Sequence, residues 1–151
     1  MTSYLIDINV WLILSLEAHP FYKLASDWMQ TLPKGRTRLL FCRVTQLGLL
    51  RLLTNPSVMG KKVLTTSKAL GILDRWNEDP RVDFAIEPKG LESAFRQSLE
   101  GFANKPATKV IMDAYLVGFA VVEKATLVSF DKGLCKLATQ SKTPCLLLSI
   151  R

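Results

Sequence analysis

Three aspartates sit where their neighbours penalise a charge. Asp7 ends the first apolar run, in Y-L-I-D-I-N; Asp113 interrupts V-I-M-D-A-Y-L-V-G-F-A-V-V; Asp131 follows T-L-V-S-F. A carboxylate taken out of water is costly unless it is paired or binds a metal. Three in the same predicament predict that they meet. Carboxylates that meet suit Mg²⁺ or Mn²⁺, hard cations that prefer oxygen ligands. A cation held there activates water for attack on a phosphodiester. Each aspartate also has a local reading. Asp7 suits a turn or cap after a strand, and Asp131 suits a helix N-cap. Asp113 could pair with Lys109, four residues earlier, for about 0.2–0.5 kcal/mol.

Other chemistries find less support. His19 is the only histidine and precedes Pro20, so it reads as a turn residue, and a Ser-His-Asp or Cys-His mechanism would have to run through it. Neither G-x-x-x-x-G-K nor G-x-G-x-x-G occurs, which removes the main nucleotide-binding signatures. Cys42, Cys135 and Cys145 contain no C-x-x-C pair and are odd in number. That pattern gives neither a zinc site nor a disulfide framework, and predicts buried free thiols in a reducing cytosol. Trp11, Trp28 and Trp76 fall at helical core spacing and read as packing residues.

The formal charge is +7, from 20 basic and 13 acidic residues. Such an excess favours polyanionic partners. Its bland counterpart is a soluble basic protein. Basic residues gather modestly at Lys34, Arg36 and Arg38, at Lys61 and Lys62, and at Lys132 and Lys136. With 48% apolar and 22% charged residues, the 151-residue chain is expected to fold as one domain, 1–151. No secretory leader is read at its start, so a cytoplasmic protein is expected. The longest greasy run, Val110 to Val122, has only 13 residues and contains Asp113. It predicts a buried core helix, not a membrane span.

The elements that must carry the aspartates follow from patterning. Strands are predicted over residues 3 to 8, 38 to 42, 82 to 86, 126 to 130 and 145 to 149. Asn9 is expected to cap a helix from Val10 to about Glu17, and a second runs from Pro20 to Leu32. Thr45 is expected to cap a helix reaching Leu53, stopped by Asn55-Pro56. Further helices are expected over 65 to 76, 90 to 102, 108 to 124 and 131 to 139. Strands alternating with helices predict an α/β fold, a parallel sheet with helices on both faces. Ligands of such sheets bind beyond the carboxyl ends of the strands, where strand order reverses. Asp7 and Asp131 follow two predicted strands. If those strands are neighbours, both carboxylates enter one crevice, and Asp113 reaches it from the side.

Four segments then match a known family in order and spacing: L-I-D-I-N-V-W-L, T-Q-L-G-L-L-R-L-L-T-N-P, M-D-A-Y-L-V-G-F-A and L-V-S-F-D-K-G-L. The chain resembles PIN-domain ribonucleases, most closely the VapC-like toxins of bacterial toxin–antitoxin pairs. The resemblance covers nearly the whole chain. It implies a three-layer α/β/α fold around a central parallel sheet of four or five strands. It implies Mg²⁺- or Mn²⁺-dependent endoribonuclease activity on RNA, inhibition by a cognate antitoxin, and a homodimer. Asp7, Asp113 and Asp131 fall on acidic positions of the family, as catalytic and metal-binding residues. Asn9 and Ser129 fall where polar residues support the first and last of them. Gln46 falls where the family usually has glutamate, and its neutral amide adds no charge. Arg51 resembles an arginine that the family often carries for RNA; a solvent-facing helix charge is its plain alternative. The departure at Gln46 keeps a second reading open, a degenerate PIN-like module that binds RNA or protein without cleaving.

Overall fold

The computed structural model describes residues 1–149. Five strands form one wholly parallel sheet: β1 (Thr2–Ile6), β2 (Thr37–Phe41), β3 (Val82–Phe84), β4 (Thr126–Ser129) and β5 (Cys145–Leu147). Their spatial order is β3-β2-β1-β4-β5. The chain therefore steps outward in one direction from β1 to β3, then returns to the other side of β1. The reversal falls between β1 and β4.

Side chains alternate across each strand, so one residue in two faces each side. Leu5, Leu40 and Leu127 face one core, with buried residues of α6 (Leu91–Ser98), α7 (Ile111–Glu123) and α8 (Lys132–Gln140). Ile6, Leu39, Phe41 and Val128 face the other. There they meet α1 (Ile8–Leu14), α2 (Tyr22–Gln30), α3 (Arg43–Leu53) and α5 (Thr66–Glu78). Helices thus cover both faces in a three-layer α/β/α sandwich, as expected. The tryptophans pack as predicted: Trp11 is fully buried and stacks on Phe41 with centroids 3.8 Å apart. Trp76 lies edge-on to Trp11, and Trp28 edge-on to Tyr4. Among the described residues no helix is long and apolar enough to cross a membrane.

The structure corrects several boundaries, each for a local reason. The first helix starts at Ile8, and its N-cap is Asp7, not Asn9. Both are good caps, but the strand ends at Ile6 and leaves the aspartate in the extended conformation that a cap requires. The helix expected from Pro20 begins at Tyr22, because a turn closed by the His19 carbonyl and the Tyr22 amide holds the preceding residues. The cap of α3 is Cys42; Thr45 sits inside the first turn, where its Oγ1 accepts from the Cys42 amide at 3.0 Å. A short helix, α4 (Pro56–Met59), follows the Asn55 cap; it was not foreseen. The thiol expectation also fails in part. Cys42 is free and buried, but Cys135 of α8 and Cys145 of β5 are joined in a disulfide. Sequence spacing could not reveal this pairing. It depends on α8 folding back to bring its start beside the edge strand.

Candidate active site

β1 pairs with β4 through Tyr4–Thr126, Leu5–Leu127 and Ile6–Val128. Continuing that register sets Asp7 beside Ser129, and the Asp7 amide donates to the Val128 carbonyl at 2.9 Å. The condition set from sequence is met: the two strands are neighbours, and Asp7 and Asp131 stand just past their carboxyl ends, where strand order reverses.

Asp7 is anchored on both carboxylate oxygens. Oδ1 accepts from the Ile8 amide at 2.8 Å and Oδ2 from the Ser129 hydroxyl at 2.6 Å. The fully buried Ser129 Oγ in turn accepts from the Asp131 amide at 2.9 Å. One serine therefore couples the first acidic position to the backbone of the third. Asp131 Oδ1 caps α8, accepting from Gly133 at 2.7 Å and Leu134 at 3.4 Å. The local readings of Asp7 and Asp131 as caps are thus correct as far as they go. An ionised carboxylate offers about four lone-pair sites, so capping does not exhaust either group.

Asp113 lies in the first turn of α7, half-buried. Among the described residues it makes no hydrogen bond and no ion pair, so the expected alternative of a pair with Lys109 does not form. Burial first, then the charges of Asp131 and Asp7, push its pKa up to about 6. Asp7 is raised as well, chiefly by burial and slightly by Asp131, against the lowering effect of the Ser129 and Ile8 hydrogen bonds. Asp113 thus feels the charge of both other carboxylates, and Asp7 that of Asp131. They do not form a closed cage: among the described residues no three His, Cys, Asp or Glu groups cluster tightly enough to hold a metal by themselves.

Of the remaining positions, Asn9 and Gln46 lie in the first turns of helices that begin at this edge, whereas Arg51 lies at the far end of α3. Asn9 occupies the first turn of α1, and its Oδ1 is buried with no hydrogen-bond partner among the described residues. An orphaned carbonyl oxygen two residues after Asp7 extends a set of oxygen donors only, which suits a hard cation. Mg²⁺ commonly retains several waters and takes only one or two carboxylates directly, so an open arrangement fits it. Gln46 is in the first turn of α3, and its Oε1 accepts from the Arg43 guanidinium. Arg51, exposed in the last turn of α3, lines a shallow hollow with Leu50, Thr54, Thr66, Ala69 and Leu70. His19 accepts from the Phe21 amide at 3.0 Å and serves a turn.

Sequence reasoning missed Arg43. The usable signal was its position three residues before Gln46, a spacing that brings helical side chains together.

No protein-family model matches the chain. It is 39% identical over 133 residues to Ribonuclease VapC41 of Mycobacterium tuberculosis, in strains CDC 1551 and H37Rv. That alignment spans 84% of this chain and 88% of the relative. VapBC2 from Rickettsia felis, solved bound to a DNA fragment from its promoter, superposes with a TM-score of 0.66 at 16% identity, covering 98% of this chain and 100% of that one. VapBC-1 from nontypeable Haemophilus influenzae gives 0.64 at 15% identity, over 97% and 98% of the two chains. VapC20 of M. tuberculosis, described as a Sarcin-Ricin loop cleaving toxin, gives 0.63 at 12% identity, over 88% and 93%. At such identities the structures speak for the fold alone, and the fold is that of the PIN domains. The sequence relationship carries further: this chain belongs to the VapC family of PIN-domain ribonucleases.

Proposed function

We propose that this protein is a Mg²⁺- or Mn²⁺-dependent endoribonuclease, a toxin restrained by a cognate antitoxin. The observation that carries the proposal is the hydrogen-bonded chain Asp7–Ser129–Asp131 at the switch point of the sheet, with Asp113 near enough for both charges to raise its carboxyl. Carboxylates that raise one another's pKa cost the fold stability, and such cost is tolerated where a site needs it. The ribonuclease name of the 39% identical relative supports the same reading.

In this reading Asp7 and Asp113 are direct ligands and Asp131 acts through water. A divalent ion bound there supplies a Lewis acid and a water of lowered pKa. The chain's own part is to orient. Ser129 holds Asp7 by donating to Oδ2, and its contact with the Asp131 amide fixes the start of α8. Asn9 Oδ1 adds a neutral acceptor. The excess of basic charge gathers the RNA backbone. The partners proposed are RNA, an antitoxin protein and a second copy of the chain; relatives solved as VapBC complexes support the antitoxin.

The competing reading, a module that binds without cleaving, draws on Gln46, whose amide gives the site no fourth charge. Incubation of the purified protein with mixed RNAs, in Mn²⁺ and in EDTA, separates the two. Cleavage that EDTA abolishes is expected, together with a loss of more than about 100-fold for Asp7→Ala and Asp113→Asn. Asp7→Ala also removes a helix cap worth about 1 kcal/mol, so its melting curve is the fold control. Parent-rate cleavage by either variant, or tight binding by the wild type with no cleavage, would end the enzymatic reading.

A further inference from the structure

The carboxyl edge of the sheet carries a cation, Arg43, that the acidic site does not explain. Arg43 opens α3 one residue after β2, and β2 lies beside β1, the strand that leads into Asp7. Continuing the register of Leu5 with Leu40 sets Asp7 opposite Cys42. Adjacent strands lie about 4.8 Å apart, and the guanidinium rests over Phe84 of β3, so Arg43 stands at the same carboxyl edge of the sheet, on the side of β2 away from β1.

Arg43 is exposed but not loose. Its guanidinium lies over the Phe84 ring, 4.6 Å from the centroid, and donates from Nη1 to Gln46 Oε1. Among the described residues no carboxylate pairs with it. A guanidinium has five N–H donors and cannot accept. Its partner on Gln46 must therefore be the amide oxygen, which fixes the orientation of that amide. Gln46 is left presenting Nε2, with two donors and no hydrogen-bond partner among the described residues. An oxygen already committed to a guanidinium is a poor ligand for a second cation. Two N–H donors beside a held positive charge are instead complementary to an oxyanion.

We propose that Arg43 and Gln46 form a phosphate-binding subsite for RNA at the carboxyl edge of the sheet, beside the acidic crevice on its β3 side, Gln46 acting as a hydrogen-bond donor to a phosphate oxygen and not as a metal ligand. The proposal rests on the ribonuclease reading for its substrate. It gives the departure at Gln46 a purpose. A polyanion approaching three carboxylates is repelled, and a cation pre-positioned by stacking offsets that repulsion at small entropic cost.

The test is fluorescence anisotropy of a labelled, mixed-sequence, single-stranded oligoribonucleotide, titrated with the full chain in EDTA over a range of salt. Arg43→Ala is expected to weaken binding about tenfold and to lower the slope of log K against log salt by about 0.7, the loss of one phosphate contact. Gln46→Glu is expected to weaken RNA binding too, with no gain in Mn²⁺ affinity by calorimetry. Arg43→Lys, which keeps the charge but not the fork, should retain the slope and lose part of the affinity. Melting curves exclude variants that misfold. An unchanged slope in Arg43→Ala overturns the subsite, as does Gln46→Glu that binds Mn²⁺ more tightly and cleaves faster. The two readings fail separately: binding that depends on Arg43 with no cleavage in Mn²⁺ sinks the ribonuclease alone, and cleavage with an Arg43-independent slope sinks the subsite alone.

Discussion

Asp113 is the residue on which pH should act most visibly. Its carboxyl is raised from the ordinary 3.8 to about 6 by burial and by its acidic neighbours. Below about pH 3.8 it is protonated in both folded and unfolded chains and contributes nothing to the difference. Between 3.8 and about 6 the folded chain holds a proton that the unfolded chain has released, so stability falls as pH rises. Above about 6 the cost is constant. Asp113 is half-exposed, so solvent screening reduces that cost to about 1–2 kcal/mol. Asp113→Asn in EDTA should therefore melt higher than the parent near pH 7.5 and match it near pH 4. An Asn variant that melts lower than the parent at pH 7.5 would contradict the raised carboxyl. The three aspartates were legible in the sequence because each is a charge set among apolar neighbours. Ser129 as a support of Asp131 followed only from the family resemblance, and its bond to Asp7 was not legible at all, since that contact crosses from β4 to β1.

Helices deliver these residues, and their packing leaves little slack. Gly118 of α7 faces α6 so closely that a Cβ would lie 2.7 Å from the Phe95 backbone nitrogen and 2.9 Å from its Cα. Backbone cannot turn aside as a flexible side chain can. Gly118→Ala must push α7 away from α6, and α7 carries Asp113 five residues earlier, about 7.5 Å along its axis. The expected result is a loss of about 1–3 kcal/mol in melting experiments, with impaired cleavage although none of the three aspartates has been changed. Unchanged stability would mean that the two helices part freely. Most elements could be read from periodicity and caps, as with Thr65 at the start of α5 and Asp131 at the start of α8. Their exact starts could not. Asp7 and Asn9 are equally good caps by type, and only the end of β1 at Ile6 chooses between them. Gly118 likewise looks like any helical glycine until α6 is in place.

At the scale of the whole molecule, alternating strands and helices revealed the parallel sheet, but strand order had to come from the fold. The β3-β2-β1-β4-β5 order is what turns two distant aspartates into neighbours. The disulfide was beyond sequence for the same reason: Cys135 and Cys145 meet only after α8 has packed against the sheet. Bridging residues ten apart in the chain should contribute about 2–3 kcal/mol. Dithiothreitol, or Cys145→Ser, is expected to lower the melting temperature by about 5–10 °C; an unchanged melting curve on full reduction would refute that contribution. The bridge also bears on how copies of this chain can entangle. β5 is an outermost strand, the kind of segment that molecules trade to form swapped pairs. Riveted to the helix before it, β5 cannot be lent to a neighbour without taking α8 along. An oxidised solution should thus be protected against this route to intertwined aggregates, and a reduced one exposed to it.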